Sequence, residues 1–175
     1  MDDMSMNAMV GNKSGNKGFK PLVSEGSEIS EASDVLENIT DSEEIYHITW
    51  VTHNSRISER MRLYKVKIGE PIIFSDEDKK VVTEIIKKVI NEYSIKFINY
   101  IVNNDHVHIV IICKEEERDN IVKILKSKTT YYYKKIFGIV EKFNLWAQKY
   151  NSSIIKSDEE LVKVINYVKY NDLKH

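Results

Sequence analysis

The stretch INYIVNNDHVHIVII, residues 98–112, decides the fold of this chain. Its two apolar runs are rich in β-branched residues and are separated by Asn103 and Asn104, a pair typical of turns, so that the stretch predicts two strands joined as a hairpin. Because successive side chains of a strand point to opposite faces, His106 and His108 lie on one face, roughly 7 Å apart at Cα. Two imidazoles at that spacing are close enough to share one divalent metal.

The segments on either side of this hairpin predict the rest of a domain. Residues 45–52 alternate as a strand does, and Ser75 with Asp78 forms an acidic capping box ahead of apolar residues that recur at helical spacing. The other predicted elements are a short basic segment at 58–62, strands at 72–74, 94–102, 106–113 and 153–156, and helices at 75–93, 114–136 and 158–170.

This order of elements is the split βαβ pattern followed by a last helix. It predicts an α+β fold, a ferredoxin-like antiparallel sheet with helices mainly on one face. The strand that carries His106 and His108 is expected to be central, with both imidazoles on the sheet face away from the two main helices.

Residues 1–44 differ in composition from the rest of the chain. They hold three Lys against ten Asp and Glu and contain no Trp or Tyr, which predicts a disordered acidic tail ahead of a domain over residues 45–175. The domain carries 23 Lys and Arg against 17 Asp and Glu, a net charge of +6 without His. A basic domain suits a nucleic-acid partner without being specific for one.

The same composition bears on the cellular setting. No apolar run approaches membrane-spanning length, and Met1-Asp2-Asp3 is acidic where a signal peptide is basic. Cys113 is the only cysteine, so that no internal disulfide forms. We therefore expect a cytoplasmic protein with no membrane association.

A tyrosine and an asparagine on the predicted last helix form the second motif. Tyr167 and Asn171 are four residues apart, so that their side chains are neighbours on the flank of the helix's apolar stripe. Each residue alone has an ordinary explanation: Tyr167 packs its ring while its hydroxyl reaches water, and Asn171 caps the helix. An isolated His-x-His strand is likewise more often structural than metal-binding. The combination of the two motifs favours a functional site.

Together these motifs resemble those of the single-tyrosine HUH (histidine–hydrophobe–histidine) transposases of the insertion-sequence-200-like group, above all the REP-associated tyrosine transposases. The resemblance covers residues 45–172. It rests on YHITWVTHNSR at 46–56, DHVH at 105–108, LWAQ at 145–148 and YVKYN at 167–171. The chain departs from the family in having Asp172 where Pro usually follows the Asn, and in its acidic N-terminal segment.

The resemblance implies the HUH endonuclease fold and an enzyme that works with the DNA of the nucleoid. Such enzymes cut and rejoin single-stranded DNA near hairpins or palindromes, through a 5′-phosphotyrosine intermediate and a free 3′-OH. Tyr167 would be the nucleophile. The oligomeric state stays open, since the group includes homodimers with shared sites and proteins that act alone. The implied ligands of Mg²⁺ or Mn²⁺ are His106, His108 and Asn171, with Asp172 as the alternative to Asn171.

Charged and aromatic residues predict further contacts. Asp105 precedes the His pair and is expected to orient one imidazole, whereas His47 and His53 are assigned structural or supporting roles. Lys and Arg hold phosphates, and aromatic rings stack on unpaired bases; a solvated helix face or partial core is the alternative explanation. The predicted DNA contacts are Arg56, Arg60, Arg62, Lys126, Lys128 and Tyr131.

Two other functions fit the same motifs. One is a domesticated module that binds DNA hairpins without chemistry, although a degraded Tyr or His would be expected there. The other is a replication-initiator or relaxase nickase, which shares the chemistry but serves plasmids or viruses. Flanking palindromes in the genome would favour the transposase.

Overall fold

A computed structural model describes residues 39–57, 59–67 and 69–170 of the chain, without the side chains of residues 169 and 170. In chain order the elements are β1 (Glu44–Val51), α1 (Glu59–Leu63), α2 (Asp76–Glu92), β2 (Phe97–Val102), β3 (His106–Cys113), α3 (Glu115–Ile136), β4 (Asn151–Ile155) and α4 (Asp158–Tyr170). Among the described residues, no helix has the length and apolar character needed to cross a membrane.

The four strands form one antiparallel sheet in the order β2-β3-β1-β4. β3 is therefore flanked on both sides, by β2 and by β1, as the sequence predicts for the strand with the His pair. In the register between β1 and β3, Thr49 lies opposite His108 and Val51 lies opposite His106. The prediction of an α+β fold with a ferredoxin-like antiparallel sheet is confirmed.

The alternation of β3 gives the sheet two different faces. Val107, Ile109 and Ile111 are fully buried in the larger hydrophobic cluster, which α2 and α3 complete. Val110 and Ile112 belong to a smaller cluster, with buried residues of α4. His106 and His108 are four and two residues from Val110 along the strand, so that their side chains point to the same face. They therefore lie on the face that α4 covers, away from the two long helices.

The start and the end of α2 follow from local hydrogen bonds. Ser75 Oγ accepts from the backbone N of Asp78 at 3.1 Å, and Asp78 Oδ2 accepts from the backbone N of Ser75 at 3.0 Å, so that the predicted capping box is present. At the other end, Ser94 has a φ of 50°, and Ile95 N donates to Ile90 O at 3.0 Å. This turn uses the residues that were predicted to open β2, which therefore starts at Phe97 and not at Ser94.

The predicted strand at residues 72–74 is wrong. Ile72 N donates to His53 O at 3.1 Å, and Phe74 N donates to Asn104 O at 2.7 Å. These acceptors lie in two different loops, after β1 and before β3. The segment therefore crosses the ends of these two strands and makes isolated hydrogen bonds, whereas a strand would need a ladder along one edge.

Residues 39–43 contact the domain, although they fall within the predicted acidic tail. Ile39 packs against the smaller hydrophobic cluster, and Glu43 pairs with Lys96 at 2.6 Å. The Lys96 ammonium lowers the pKa of Glu43 by hydrogen bonding. The remainder of the predicted tail, residues 1–38, lies outside the described residues, and its disorder stays a prediction.

Candidate active site

The two imidazoles at the start of β3 lie against each other. The ring centroids of His106 and His108 are 4.8 Å apart, and the ring planes are nearly perpendicular. The His106 side chain is 12% exposed and His108 is buried. This sheltered position at the polar end of the α4 face limits the access of water to both rings.

Polar neighbours on both sides hold the His106 ring. Its Nδ1 lies 2.5 Å from Asp105 Oδ1, and its Nε2 lies 3.0 Å from Asn103 Nδ2. A carboxylate only accepts hydrogen bonds, so that Nδ1 carries the proton and Nε2 has a free lone pair. Arg56 Nη2 pairs with the other oxygen of Asp105 at 2.9 Å. This is the geometry that an orienting carboxylate requires.

The His108 ring is fixed from β1. Its Nδ1 lies 2.9 Å from Thr49 Oγ1 and 3.0 Å from His47 Nε2, and the rings of His47 and His108 are stacked at 5.2 Å. Burial, with smaller contributions from His106 and His47, lowers the pKa of His108 to about 4. The ring is therefore neutral near pH 7, the state in which an imidazole binds metal.

The second nitrogen of His108 has no hydrogen-bond partner among the described residues. Its Nε2 is buried and makes no hydrogen bond within the described part of the chain. Buried polar atoms are normally satisfied, and an orphaned one calls for an explanation such as an absent ion. A divalent cation bound by His106 Nε2 and His108 Nε2 would provide it, so that the donors present fit a metal.

Tyr167 reaches this site from α4. Leu161 and Val168 of that helix are fully buried and anchor it on the sheet, while Tyr167, on the flank of this stripe, is 50% exposed. The ring centroid of Tyr167 lies 5.2 Å from that of His108 and 6.4 Å from that of His47, edge-on in both cases. The predicted nucleophile and the His pair therefore meet within one chain.

The predicted third ligand, Asn171, lies outside the described residues, as does its alternative Asp172. Within the part of the chain that is described, no group of three or more His, Cys, Asp and Glu side chains is arranged to hold a metal ion. A metal site made of two His and the amide oxygen of an asparagine contains only two residues of these four types and is therefore not such a group. The ligand role of Asn171 stays a prediction.

The predicted DNA contacts fall into two groups. Arg56 is 62% exposed and pairs with Asp105, which places its guanidinium group beside His106. Arg60 and Arg62 are exposed on α1. The contacts of all three residues with DNA stay predictions.

The second group belongs to α3, on the opposite side of the sheet from the His pair. Lys126 donates to three backbone carbonyls of residues 147–149, the shortest at 2.7 Å to Ala147 O. Burial lowers the pKa of this ammonium. Lys128 is partly exposed, and Tyr131 is 57% exposed. Lys126 therefore ties α3 to the segment before β4, and the DNA contacts of all three residues stay predictions.

Three further residues contact the His pair: His47, Thr49 and Asn103. The sequence assigns His47 a structural or supporting role without its contact to His108, and sequence reasoning missed Thr49 and the side chain of Asn103. The alternation of β1 places His47 and Thr49 on one face, but only the register between β1 and β3 brings them to His108. Asn103 was interpreted as a turn residue, and its main chain does close the turn, since its N donates to His106 O at 2.8 Å. The proximity of its amide to His106 has no signal in the sequence.

Comparison with known families identifies the family of this chain. The family model described as "Transposase IS200 like" matches residues 40–171. The chain belongs to this family. The resemblance drawn from the motifs is confirmed, and the chain is a transposase, an enzyme that acts on DNA in transposition and recombination. No curated protein sequence matches this IS200-like transposase significantly.

Two solved structures resemble the IS200-like transposase in fold. One is the 1.90 Å crystal structure of a candidate transposase from Deinococcus radiodurans R1, with 17% identity and a TM-score of 0.50 over 74% of this chain and 91% of that one. The other is a REP-associated tyrosine transposase bound to a REP hairpin, with 15% identity and a TM-score of 0.50 over 75% of this chain and 68% of that one. These identities support a shared fold and no more.

Proposed function

We propose that this IS200-like transposase cuts and rejoins single-stranded DNA near hairpins or palindromes, with Tyr167 as the nucleophile of a 5′-phosphotyrosine intermediate. The observation that carries the proposal is the contact of Tyr167 with His108 within one chain, at 5.2 Å between ring centroids. Tyr167 is half exposed, so that a DNA strand can approach it. A nucleophile beside a pair of metal-binding imidazoles is the arrangement that phosphodiester transfer needs.

The chemistry of tyrosine suits a reversible step. Tyr167 Oη attacks the scissile phosphorus, a bond from phosphorus to the tyrosine oxygen forms, and the bond from phosphorus to O3′ breaks. The phenol proton leaves to solvent, and the departing oxygen takes up a proton to become a 3′-OH. One phosphoester replaces another, so that the 3′-OH can reverse the step without ATP. The ordinary pKa of tyrosine, near 10, makes the phenolate a tolerable leaving group.

The residues that would hold Mg²⁺ or Mn²⁺ are His106 and His108, with Asn171 or Asp172 as a further ligand. When bound, such a cation neutralises the charge that develops on the scissile phosphate. Two neutral imidazoles and one side-chain oxygen leave coordination positions open for phosphate and water, unlike a closed structural site.

The surrounding side chains orient these ligands. Asp105, itself paired with Arg56, accepts a hydrogen bond from His106 Nδ1, so that Nε2 is the nitrogen of this ring that keeps a lone pair. Thr49 and His47 contact Nδ1 of His108, so that its buried Nε2 is the nitrogen left to bind a metal. Such outer hydrogen bonds fix ring orientation and raise ligand basicity.

A hairpin is the partner that this proposal requires. The REP-associated tyrosine transposase of similar fold is bound to a REP hairpin. In this chain the exposed Arg56 lies beside His106, through its ion pair with Asp105, and Arg60 and Arg62 are exposed on α1, so that all three can hold the phosphates of an approaching strand. A basic domain surface supports the same partner.

The test is an incubation of the full chain with end-labelled single-stranded hairpin DNA and Mn²⁺, followed by a denaturing protein gel. We expect a covalent DNA–protein adduct that forms only with metal. Tyr167→Phe removes the attacking oxygen and abolishes the adduct. Tyr170→Phe is the matched control on the same helix and keeps it. An adduct that persists in Tyr167→Phe would refute the assignment of the nucleophile.

The same assay separates a site within one chain from a shared one. We expect an equimolar mixture of Tyr167→Phe and His108→Ala to form no adduct, because each chain then lacks one half of its own site. Recovery of the adduct in the mixture would show that two chains exchange these halves and would support a homodimer.

A further inference from the structure

Asn103 lies against the metal-binding side of His106 and is not accounted for by the motifs of the family. Asn103 is 5% exposed, and its Nδ2 lies 3.0 Å from His106 Nε2. The backbone hydrogen bond from Asn103 to His106 O holds the two residues opposite each other across the hairpin turn. The amide is therefore a fixed, sheltered neighbour of the His pair.

The contact involves the one nitrogen of His106 that a cation can use. Nδ1 is bound to Asp105, so that a metal must bind Nε2, where the Asn103 amide now donates. A cation on Nε2 removes the acceptor of that hydrogen bond. The two ends of an asparagine amide are almost identical in shape, and the partner decides which end faces it. Rotation about the Cβ–Cγ bond would turn Oδ1 toward the cation.

The distance suits two ligands of one ion. Ligand atoms that meet at a right angle on an octahedral cation, with bonds of about 2.1 Å, lie about 3.0 Å apart. The Asn103 amide already lies 3.0 Å from His106 Nε2, and a small sideways shift takes it off the lone-pair axis. His108 offers the third donor, since its buried Nε2 has no partner among the described residues and its ring lies 4.8 Å from that of His106.

We propose that Asn103 is an additional ligand of the divalent cation, through Oδ1, beside His106 Nε2 and His108 Nε2. The proposal rests on the metal-dependent function proposed above. Two imidazoles alone suit Zn²⁺ and related metals, whereas Mg²⁺ and Mn²⁺ prefer oxygen. An amide oxygen from the hairpin shifts the site toward these harder ions. An ion held by these three ligands would keep coordination positions for phosphate and water.

The test is a titration of the full chain with Mn²⁺ in the absence of DNA. The electron paramagnetic resonance signal of free Mn²⁺ reports how much of the ion is bound. We expect Asn103→Ala to weaken Mn²⁺ binding by about tenfold, at the lower end of what changes around a metal site cost. Asn103→Asp keeps an oxygen in place and binds Mn²⁺ at least as tightly as the unchanged chain. Asn104→Ala is the matched control, because Asn104 is the exposed neighbour of the same residue type.

The outcomes separate this proposal from the one it rests on. If the unchanged chain binds Mn²⁺ and Asn103→Ala binds it equally or more tightly, Asn103 only blocks Nε2, and the proposal is overturned. If the unchanged chain binds no Mn²⁺, or His106→Ala binds it undiminished, the metal centre itself is wrong. Circular dichroism checks folding. Should Asn103→Ala fail to fold, Asn103→Ser, whose hydroxyl is too short to reach the ion, takes its place with the same expectation.

Discussion

The two faces of the sheet differ in what they bury. Under α2 and α3, the buried side chains of β1 and β3 belong to one large hydrophobic cluster, in which Ile48, Val107, Ile109 and Ile111 are fully buried. Under α4, only one end is apolar. The other end of that face carries His106, His108 and their polar contacts, and it includes His108 Nε2, a buried nitrogen that has no hydrogen-bond partner among the described residues.

This difference shows how one strand serves stability and chemistry at once. Alternation sends each odd residue of β3 into the larger core and each even residue to the α4 face. An unsatisfied buried polar group costs about 1–3 kcal/mol, a cost that applies to His108 Nε2 at the site end of the smaller face and also to the indole nitrogens of Trp50 and Trp146 in the larger cluster. Full burial of Ile109, by contrast, contributes about 1.5–3 kcal/mol of transfer free energy. Neighbouring residues of β3 thus have opposite effects on stability.

Substitution of two neighbours on β3 gives the largest expected contrast. His108→Ala removes a metal ligand, and we expect the metal-dependent DNA adduct to fall below detection. We expect the free energy of unfolding to change by less than about 1 kcal/mol, because the variant also removes a costly buried nitrogen. Ile109→Ala opens a cavity in the larger core and should cost about 3 kcal/mol. Urea unfolding and the adduct gel measure the two effects.

Ile109→Val is the graded control, with an expected cost of about 1 kcal/mol. The Ile109 variants should form the adduct at temperatures where they stay folded, since the residue points away from Tyr167. A loss of stability in His108→Ala equal to that in Ile109→Ala would contradict this division between the faces and would give His108 a structural role.

The sequence predicts the elements of the fold better than the contacts around the His pair. The alternation of β3, the capping box at Ser75 and the apolar stripe of α4 are local patterns, and the strand order with the central His pair follows from them. The contacts of His47 and Thr49 with His108 depend on strand register, a property of the folded sheet. The residues at 72–74 have strand composition, yet their backbone N–H groups bond to His53 and Asn104 in two different loops, a tertiary arrangement that their local composition does not encode.

Loss of an orienting carboxylate should have a smaller effect than loss of a ligand. In Asp105→Asn the amide accepts a weaker hydrogen bond from His106 Nδ1 and no longer pairs with Arg56. We expect Mn²⁺ affinity to fall about 10- to 100-fold, as for other groups that orient metal ligands. Arg56→Ala leaves the carboxylate in place and should weaken Mn²⁺ binding less. An unchanged affinity in Asp105→Asn would separate Asp105 from the metal site. Titration with Mn²⁺, monitored by the electron paramagnetic resonance signal of the free ion, measures the affinity of both variants.

The smallest expected effect concerns Lys126, on the far side of the sheet from the site. The sequence predicts that it contacts DNA, whereas the structure shows its ammonium bound to the carbonyls of residues 147–149. Lys126→Met keeps the length of the side chain and removes the donors, so that we expect a loss of about 1 kcal/mol in the free energy of unfolding. Hairpin affinity should then be unchanged, as in the control Lys123→Met, which alters an exposed lysine of the same helix. A fall in hairpin affinity with unchanged stability would instead assign Lys126 to the DNA surface. It would also show that DNA contacts both faces of the domain, and that the face covered by α2 and α3 is not only structural.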